Sequence, residues 1–195
     1  MTLDPTSFSP ASVVDTCSVW NVLSSRKLYH AAFSTGLSFC ITPMVLYECL
    51  HKPRSTETPQ QKKLKNRLLK ALDQQKFPVQ KCELEDLVAV IQQAPSKLGS
   101  GELSCIAAAY RIRSIAFMTD EKKARKFATN QLGLPIETTP KLYAWLHFYR
   151  HLADGDHGDV IREHENFESR CPLTKFFTQA YEEAQRCRLM QPTGK

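Results

Sequence analysis

Ser12-Val13-Val14-Asp15-Thr16 decides the fold: a short apolar run suited to a buried strand, ended by an acid and a hydroxyl that belong to a polar turn. The same form returns at Ile115-Ala116-Phe117-Met118-Thr119-Asp120, where apolar residues again run into Thr-Asp. Leu37-Ser38-Phe39-Cys40-Ile41-Thr42 reads as a second strand, Lys76 to Glu83 as a third and Leu134 to Thr138 as a fifth, Ile115–Asp120 being the fourth. Helical patterns lie between them. Ser18 to Leu23 is one, capped by Thr16 or Ser18, and Pro43 starts another through Leu50. Residues 53–59 read as a loop; Gln61 to Gln75 carries Leu64, Leu68, Leu69 and Leu72 on an amphipathic stripe. Glu85 to Gln93, Glu102 to Tyr110 (after the Gly99-Ser100-Gly101 break) and Lys122 to Asn130 complete the set. Strands alternating with helices predict an α/β domain whose parallel sheet is covered by helices on both faces. From Pro140 the pattern turns helical, so a domain over 1–140 with a helical C-terminal extension over 141–195 is expected.

Composition narrows the class. The chain has 195 residues, 42% apolar and 24% charged, enough for a substantial core. No apolar run approaches the roughly 18–20 residues of a membrane span, and no basic residue precedes an apolar segment at the start, so neither a span nor an export leader is expected. Seven scattered cysteines without a Cys-x-x-Cys pair suit reduced thiols in the cytoplasm. Charge is uneven. Between His51 and Lys81 nine bases face only Glu57 and Asp73, a local excess larger than the net +6 of the whole chain. Such a patch attracts a polyanion, or is simply a solvated helix face.

Ligand sites of open α/β sheets gather beyond the carboxyl ends of the strands. Asp15 and Asp120 occupy that position, Glu102 follows the glycine break at a helix start, and Glu48 sits between Tyr47 and Cys49 in an apolar helix. Each has a plain structural alternative: Asp15 as a helix cap, Glu102 as a partner for the helix dipole. Brought together, four carboxylates repel one another unless a cation neutralises them. Hard divalent ions such as Mg2+ or Mn2+ take such oxygens and work with phosphate substrates.

The ordered set Val13-Val14-Asp15-Thr16, Glu48, Gly101-Glu102-x-x-x-Ile106-x-x-Ala109 and Thr119-Asp120-Glu121-x-x-Ala124-Arg125-x-x-Ala128 resembles the PIN-domain nucleases over roughly residues 11–140. It is closest to the toxin-like branch with a Gly-Glu helix start. The resemblance implies a three-layer α/β/α sandwich and metal-dependent cleavage of RNA, less often DNA, leaving 5′-phosphate and 3′-hydroxyl ends. It implies Asp15, Glu48, Glu102 and Asp120 as catalytic, metal-binding acids, Glu121 as a further ligand, and Thr16 and Thr119 as supporting hydroxyls. The cofactor would be Mg2+ or Mn2+. Lys122 and Arg125 would border the cleft, and Lys62, Lys63, Lys65 and Arg67 would extend a phosphate track. An antitoxin or other protein, or a second copy of the chain, is the implied partner. The alternatives are a catalytically degenerate scaffold that binds nucleic acid or protein, and a DNA endonuclease of a defence or repair assembly. Three positions depart from the pattern: Cys17 replaces a common Ser/Thr, Glu121 the usual second Asp, and Ser104 a frequent Glu.

Other signals weigh less. The Cys105-x5-Arg111 spacing of a cysteine phosphatase lies in an alanine-rich, glycine-free stretch that favours helix over a phosphate loop. His147, His151, His157 and His164 lack a completing Glu or Cys and read as surface side chains. Trp20, Trp145, Tyr143, Phe148 and Tyr149 read as packing residues, and Phe176, Phe177 and Tyr181 as an apolar helix face.

Overall fold

The computed structural model describes residues 3–52, 57–167 and 173–190. Arg54, the rest of 53–56 and Cys171 fall outside them. The described chain runs β1 (Ala11–Val14), α1 (Thr16–Ser24), α2 (Arg26–Ser34), β2 (Ser38–Cys40), α3 (Pro43–Leu50), α4 (Pro59–Asp73), α5 (Leu84–Gln93), α6 (Ser100–Ile112), β3 (Ala116–Met118), α7 (Lys122–Asn130), β4 (Ile136–Glu137), α8 (Thr139–Phe148), a 3-10 turn (Asp154–Asp156), α9 (His157–Glu165) and α10 (Thr174–Met190).

Two compact units result. One comprises Ser9–Trp20 and Leu37–Thr138; the other comprises the described parts of Met1–Phe8, Asn21–Gly36 and Thr139–Lys195.

The first unit holds the sheet, in order β2-β1-β3-β4 with every pairing parallel. Val13 pairs with Cys40 on one side and Phe117 on the other, and Val14 with Met118. The β-branched pair Val13-Val14 is fully buried, as a central parallel strand requires. Phe39, Ile41, Phe117 and Met118 are buried beside it, each contributing about 1.5–3 kcal/mol relative to exposure. β2 lies to one side of β1, and β3 and β4 to the other. Right-handed crossovers therefore put the part of α1 within this unit (residues 16–20) on one face and the connections carrying α3–α6 and α7 on the other, giving an α/β/α fold.

Most expected elements form; one does not. The expected strand Lys76–Glu83 is reduced to a single parallel bridge between Ile41 and Val79. Pro78, which has no N–H, offers only its carbonyl to Ile41 N at 3.0 Å, and Gln80 N closes the bridge on Ile41 O at 2.7 Å. The sheet thus has four strands rather than five. α1 starts at Thr16 because Asp15 is its cap: Oδ1 accepts from Ser18 N at 2.8 Å. α4 starts at Pro59, with Thr58 and Gln61 exchanging capping hydrogen bonds of 3.2 and 3.1 Å. Its buried stripe is Leu64, Leu68 and Ala71, while Leu69 faces outward.

In the second unit α8 packs along α10. Tyr143 and Phe177, fully buried, meet with ring centroids 4.8 Å apart. Two histidines expected at the surface are buried. His164 is held by Ser24 Oγ at 2.8 Å and by Leu173 N at 2.9 Å. His147 packs edge-on against Tyr143 and Tyr181, and neither of its ring nitrogens has a hydrogen-bond partner among the described residues. Apolar burial drives its basicity down, to about 4. Among the described residues no helix is long and apolar enough to cross a membrane.

Candidate active site

The register aligns the ends of β1 and β3, so Asp15 and Thr119 emerge side by side. Asp15 N bonds Met118 O at 3.1 Å, and Thr119 N bonds Glu137 O at 3.0 Å, fixing both turns to the sheet. Asp15 is 1% exposed. Its Oδ1 accepts from Ser18 N, and its Oδ2 accepts from the Thr119 hydroxyl at 2.5 Å. Burial pushes this carboxyl up to about 7; the bonds from Thr119 and Ser18 offset part of that, and the neighbouring charge of Asp120 adds to it. The Ser18 hydroxyl reaches Asp120 Oδ2 at 3.4 Å, so one side chain spans both aspartates.

The turn after β3 is held from behind. Thr119 Oγ1 also accepts from Glu121 N at 3.1 Å, and the Arg125 guanidinium donates to Asp120 O at 2.7 Å. Arg125, expected to face a phosphate, thus spends at least one N–H on backbone.

Glu48 forms the second group. Oε2 accepts from Thr16 Oγ1 at 2.5 Å, and Oε1 from Ser100 Oγ at 2.9 Å and Gly101 N at 3.0 Å. Burial alone would push the Glu48 carboxyl up, but the bonds from Thr16, Gly101 and Ser100, with Lys52 nearby, leave it below the ordinary range. Gly101 is the reason the carboxylate can sit there: a Cβ at this position would lie 2.6 Å from Glu48 Oε2 and 3.2 Å from Thr16 Oγ1. Thr16 follows Asp15 in the chain, so these adjacent residues join the aspartate group to the glutamate group.

Glu102 is turned toward its own helix start. Its Oε2 accepts from Gly99 N at 2.6 Å, the structural alternative open to it from sequence. Burial raises its carboxyl, that bond lowers it, and the charges of Glu121 and Glu48 raise it again, which places all three within electrostatic reach. Glu121 itself is exposed. Ser104 is no ligand here: fully buried, it shares a 2.6 Å hydrogen bond with Thr42 Oγ1 and donates to Gly101 O at 2.8 Å. It ties the start of α6 to the start of α3.

The basic residues lie on two helices. Lys62 and Lys63 are exposed on α4, Lys65 pairs with Glu57 at 2.5 Å, and Arg67 is half-buried on the same helix. Lys122 is exposed at the start of α7. Sequence reading missed Ser18 as the bridge between aspartates and Ser100 as a partner of Glu48. Each was flagged only by proximity, three residues after Asp15 and one before Gly101.

The donor set suits a hard divalent cation in chemistry: oxygens only, carrying like charges that raise both Asp15 and Glu102. Asp15 accepts from Thr119 Oγ1, Ser18 N and the Ser18 side chain where a carboxylate has about four lone-pair sites, so it retains capacity for an ion. Among the described residues, no three acidic, histidine or cysteine side chains converge as a ready-made metal cage. A family model described as a PIN domain matches residues 12–142. No curated protein matches the chain at a significant level.

Proposed function

The chain belongs to the PIN-domain family, whose members are generally nucleases, and we propose that it is a metal-dependent endoribonuclease acting through Asp15, Asp120, Glu48 and Glu102. The observation that supports this best is Asp15 itself: a nearly fully buried carboxylate at a strand end, beside a second aspartate, with no basic side chain hydrogen-bonded to it among the described residues. A protein retains so costly a charge chiefly where it has chemical work.

When bound, Mg2+ or Mn2+ at these acids supplies Lewis acidity toward a phosphate and an acidified water. The chain's own residues set the stage. Thr119 and Ser18 fix the Asp15 carboxylate, Ser18 spans to Asp120, and Arg125 anchors the backbone that carries Asp120. Thr16, Ser100 and the Gly101 amide keep Glu48 ionised, fit to accept a proton or orient water. Glu102, held by Gly99 N within electrostatic reach of Glu48 and Glu121, would be the further acid for the ion. Lys62, Lys63, Lys65, Arg67 and Lys122 supply positive charge toward an RNA backbone. The branch it resembles supports a toxin role, checked by an antitoxin or other partner protein.

The test is incubation of the purified protein with single-stranded RNA and with DNA, in Mg2+, Mn2+ or EDTA, with mapping of product ends. Cleavage of RNA that EDTA stops, leaving 5′-phosphates, is expected; no cleavage under any metal sinks the reading. A second reading, a scaffold that binds nucleic acid without cutting it, is favoured by Glu102 being turned to Gly99 N and by Cys17 beside Thr16. It predicts salt-sensitive, EDTA-insensitive binding and no products.

A further inference from the structure

The segment 95–98 and the outer stripe of α7 enclose a groove of about 430 Å3 that no sequence motif announces. Its walls carry Lys97, Lys123 and Lys126, with Asn130 and Gln131 at one end and Pro95, Leu98 and Phe127 providing apolar surface. Lys123, Lys126 and Asn130 recur at i, i+3 and i+7 and are exposed, so one helix face presents this row over about 10 Å, while Phe127 beside them is buried. No acid lines the groove, and no ion pair occupies any of the three exposed lysines among the described residues. Lys97 has φ +125°, a conformation L-residues rarely adopt, which turns the backbone at this point.

Both walls lead straight to the acids. The 95–98 segment runs into Gly99 and Ser100, the partners of Glu102 and Glu48, and α7 begins one residue after Glu121. Cations on a rim above apolar surface suit a chain that is itself two-sided, phosphate on one edge and base on the other.

We propose that this groove is the single-strand track of the enzyme: Lys97, Lys123 and Lys126 hold consecutive backbone phosphates of the RNA flanking the cleaved bond, with bases over the accessible Pro95 and Leu98. The proposal rests on the nuclease reading for its substrate, but it concerns binding and is separable by measurement. It assigns positions beyond Lys122 and Arg125, and it moves the main phosphate track from α4 to α7.

The test uses the full chain in EDTA and a fluorescent oligouridylate of about twelve nucleotides, followed by anisotropy across a salt series. Lys97→Ser/Lys123→Ser/Lys126→Ser should weaken binding about tenfold or more and reduce the salt slope by about two, three single-strand phosphate contacts counting about 0.7 each. The triple Arg replacement should restore both, and the melting temperature should not move. Unchanged affinity or slope in the serine variant overturns the proposal, as does failure of the wild type to bind. Wild-type cleavage of RNA with Mn2+ is scored separately. Cleavage with lysine-independent binding removes the groove and leaves the nuclease, whereas lysine-dependent binding without cleavage removes the nuclease and leaves the groove.

Discussion

The hydroxyl of Thr119 donates to Oδ2 of Asp15 across 2.5 Å, joining residues 104 positions apart at the ends of two neighbouring strands. The same oxygen of Thr119 accepts from Glu121 N, so one side chain sets both the first acid and the turn that carries the second. Thr119→Val keeps the shape and deletes both bonds. It is expected to cost about 1–3 kcal/mol in denaturant unfolding and about 10–100-fold in metal-dependent cleavage. Wild-type rates in this variant would deny Thr119 a positioning role.

Asp15 offers a test in which stability and activity move in opposite directions. Its folded carboxyl titrates near 7, above the ordinary carboxylate value, so between about pH 4 and 7 the native state binds more protons than the unfolded one. Stability from this group therefore falls as pH rises through that window. Asp15→Asn removes the penalty while an amide can still cap α1. In EDTA at pH 8 its melting temperature should exceed that of wild type by several degrees, the gain vanishing near pH 4. Cleavage should drop about 100-fold or more, and Asp120→Asn should behave similarly in activity.

Gly101 tests the seat of Glu48. A methyl group at Gly101 would meet Glu48 Oε2 at 2.6 Å, and alanine is otherwise welcome in a helix. Gly101→Ala should retain its circular dichroism spectrum and lose about 100-fold in cleavage, the scale of an ångström-sized displacement at a reacting centre. Full activity would place Glu48 outside the chemistry.

His147 gives the helical unit a pH dependence of its own. Its imidazole is held near 4 by burial, with the neighbouring His157 charge adding to this and Asp154 opposing. Below an unfolded value of about 6.5 the unfolded chain takes up the proton first, so stability present at pH 7 is lost as pH falls toward 4. His147→Phe, which also removes two unpartnered nitrogens, should flatten that loss by about 1–3 kcal/mol, read as melting temperature at pH 4.5 and 7.5. Equal acid sensitivity in both proteins would assign the effect to other groups.

The architecture was legible in local pattern. Val13-Val14 and Phe117-Met118 could be read as strands because central parallel strands are buried on both faces, and their terminal Asp15 and Thr119 followed from the turns. Lys76–Glu83 misled because its residues suit an extended chain, while Pro78 withholds the donor a ladder needs. His147 and His164 misled because a histidine does not declare its burial; α10, packed on α8, supplies the cover.

Sequence alone determined the strand–helix alternation, the order of the acids and the PIN-type resemblance, since these depend on residue type and spacing along one chain. Only tertiary structure decided that Ser18 spans the two aspartates, that Gly101 makes room for Glu48, that Glu102 turns to Gly99, and that three lysines line a groove beside α7. Those relations depend on which backbone approaches which, and a hydrogen bond or a van der Waals contact is settled over tenths of an ångström between segments that share no local code.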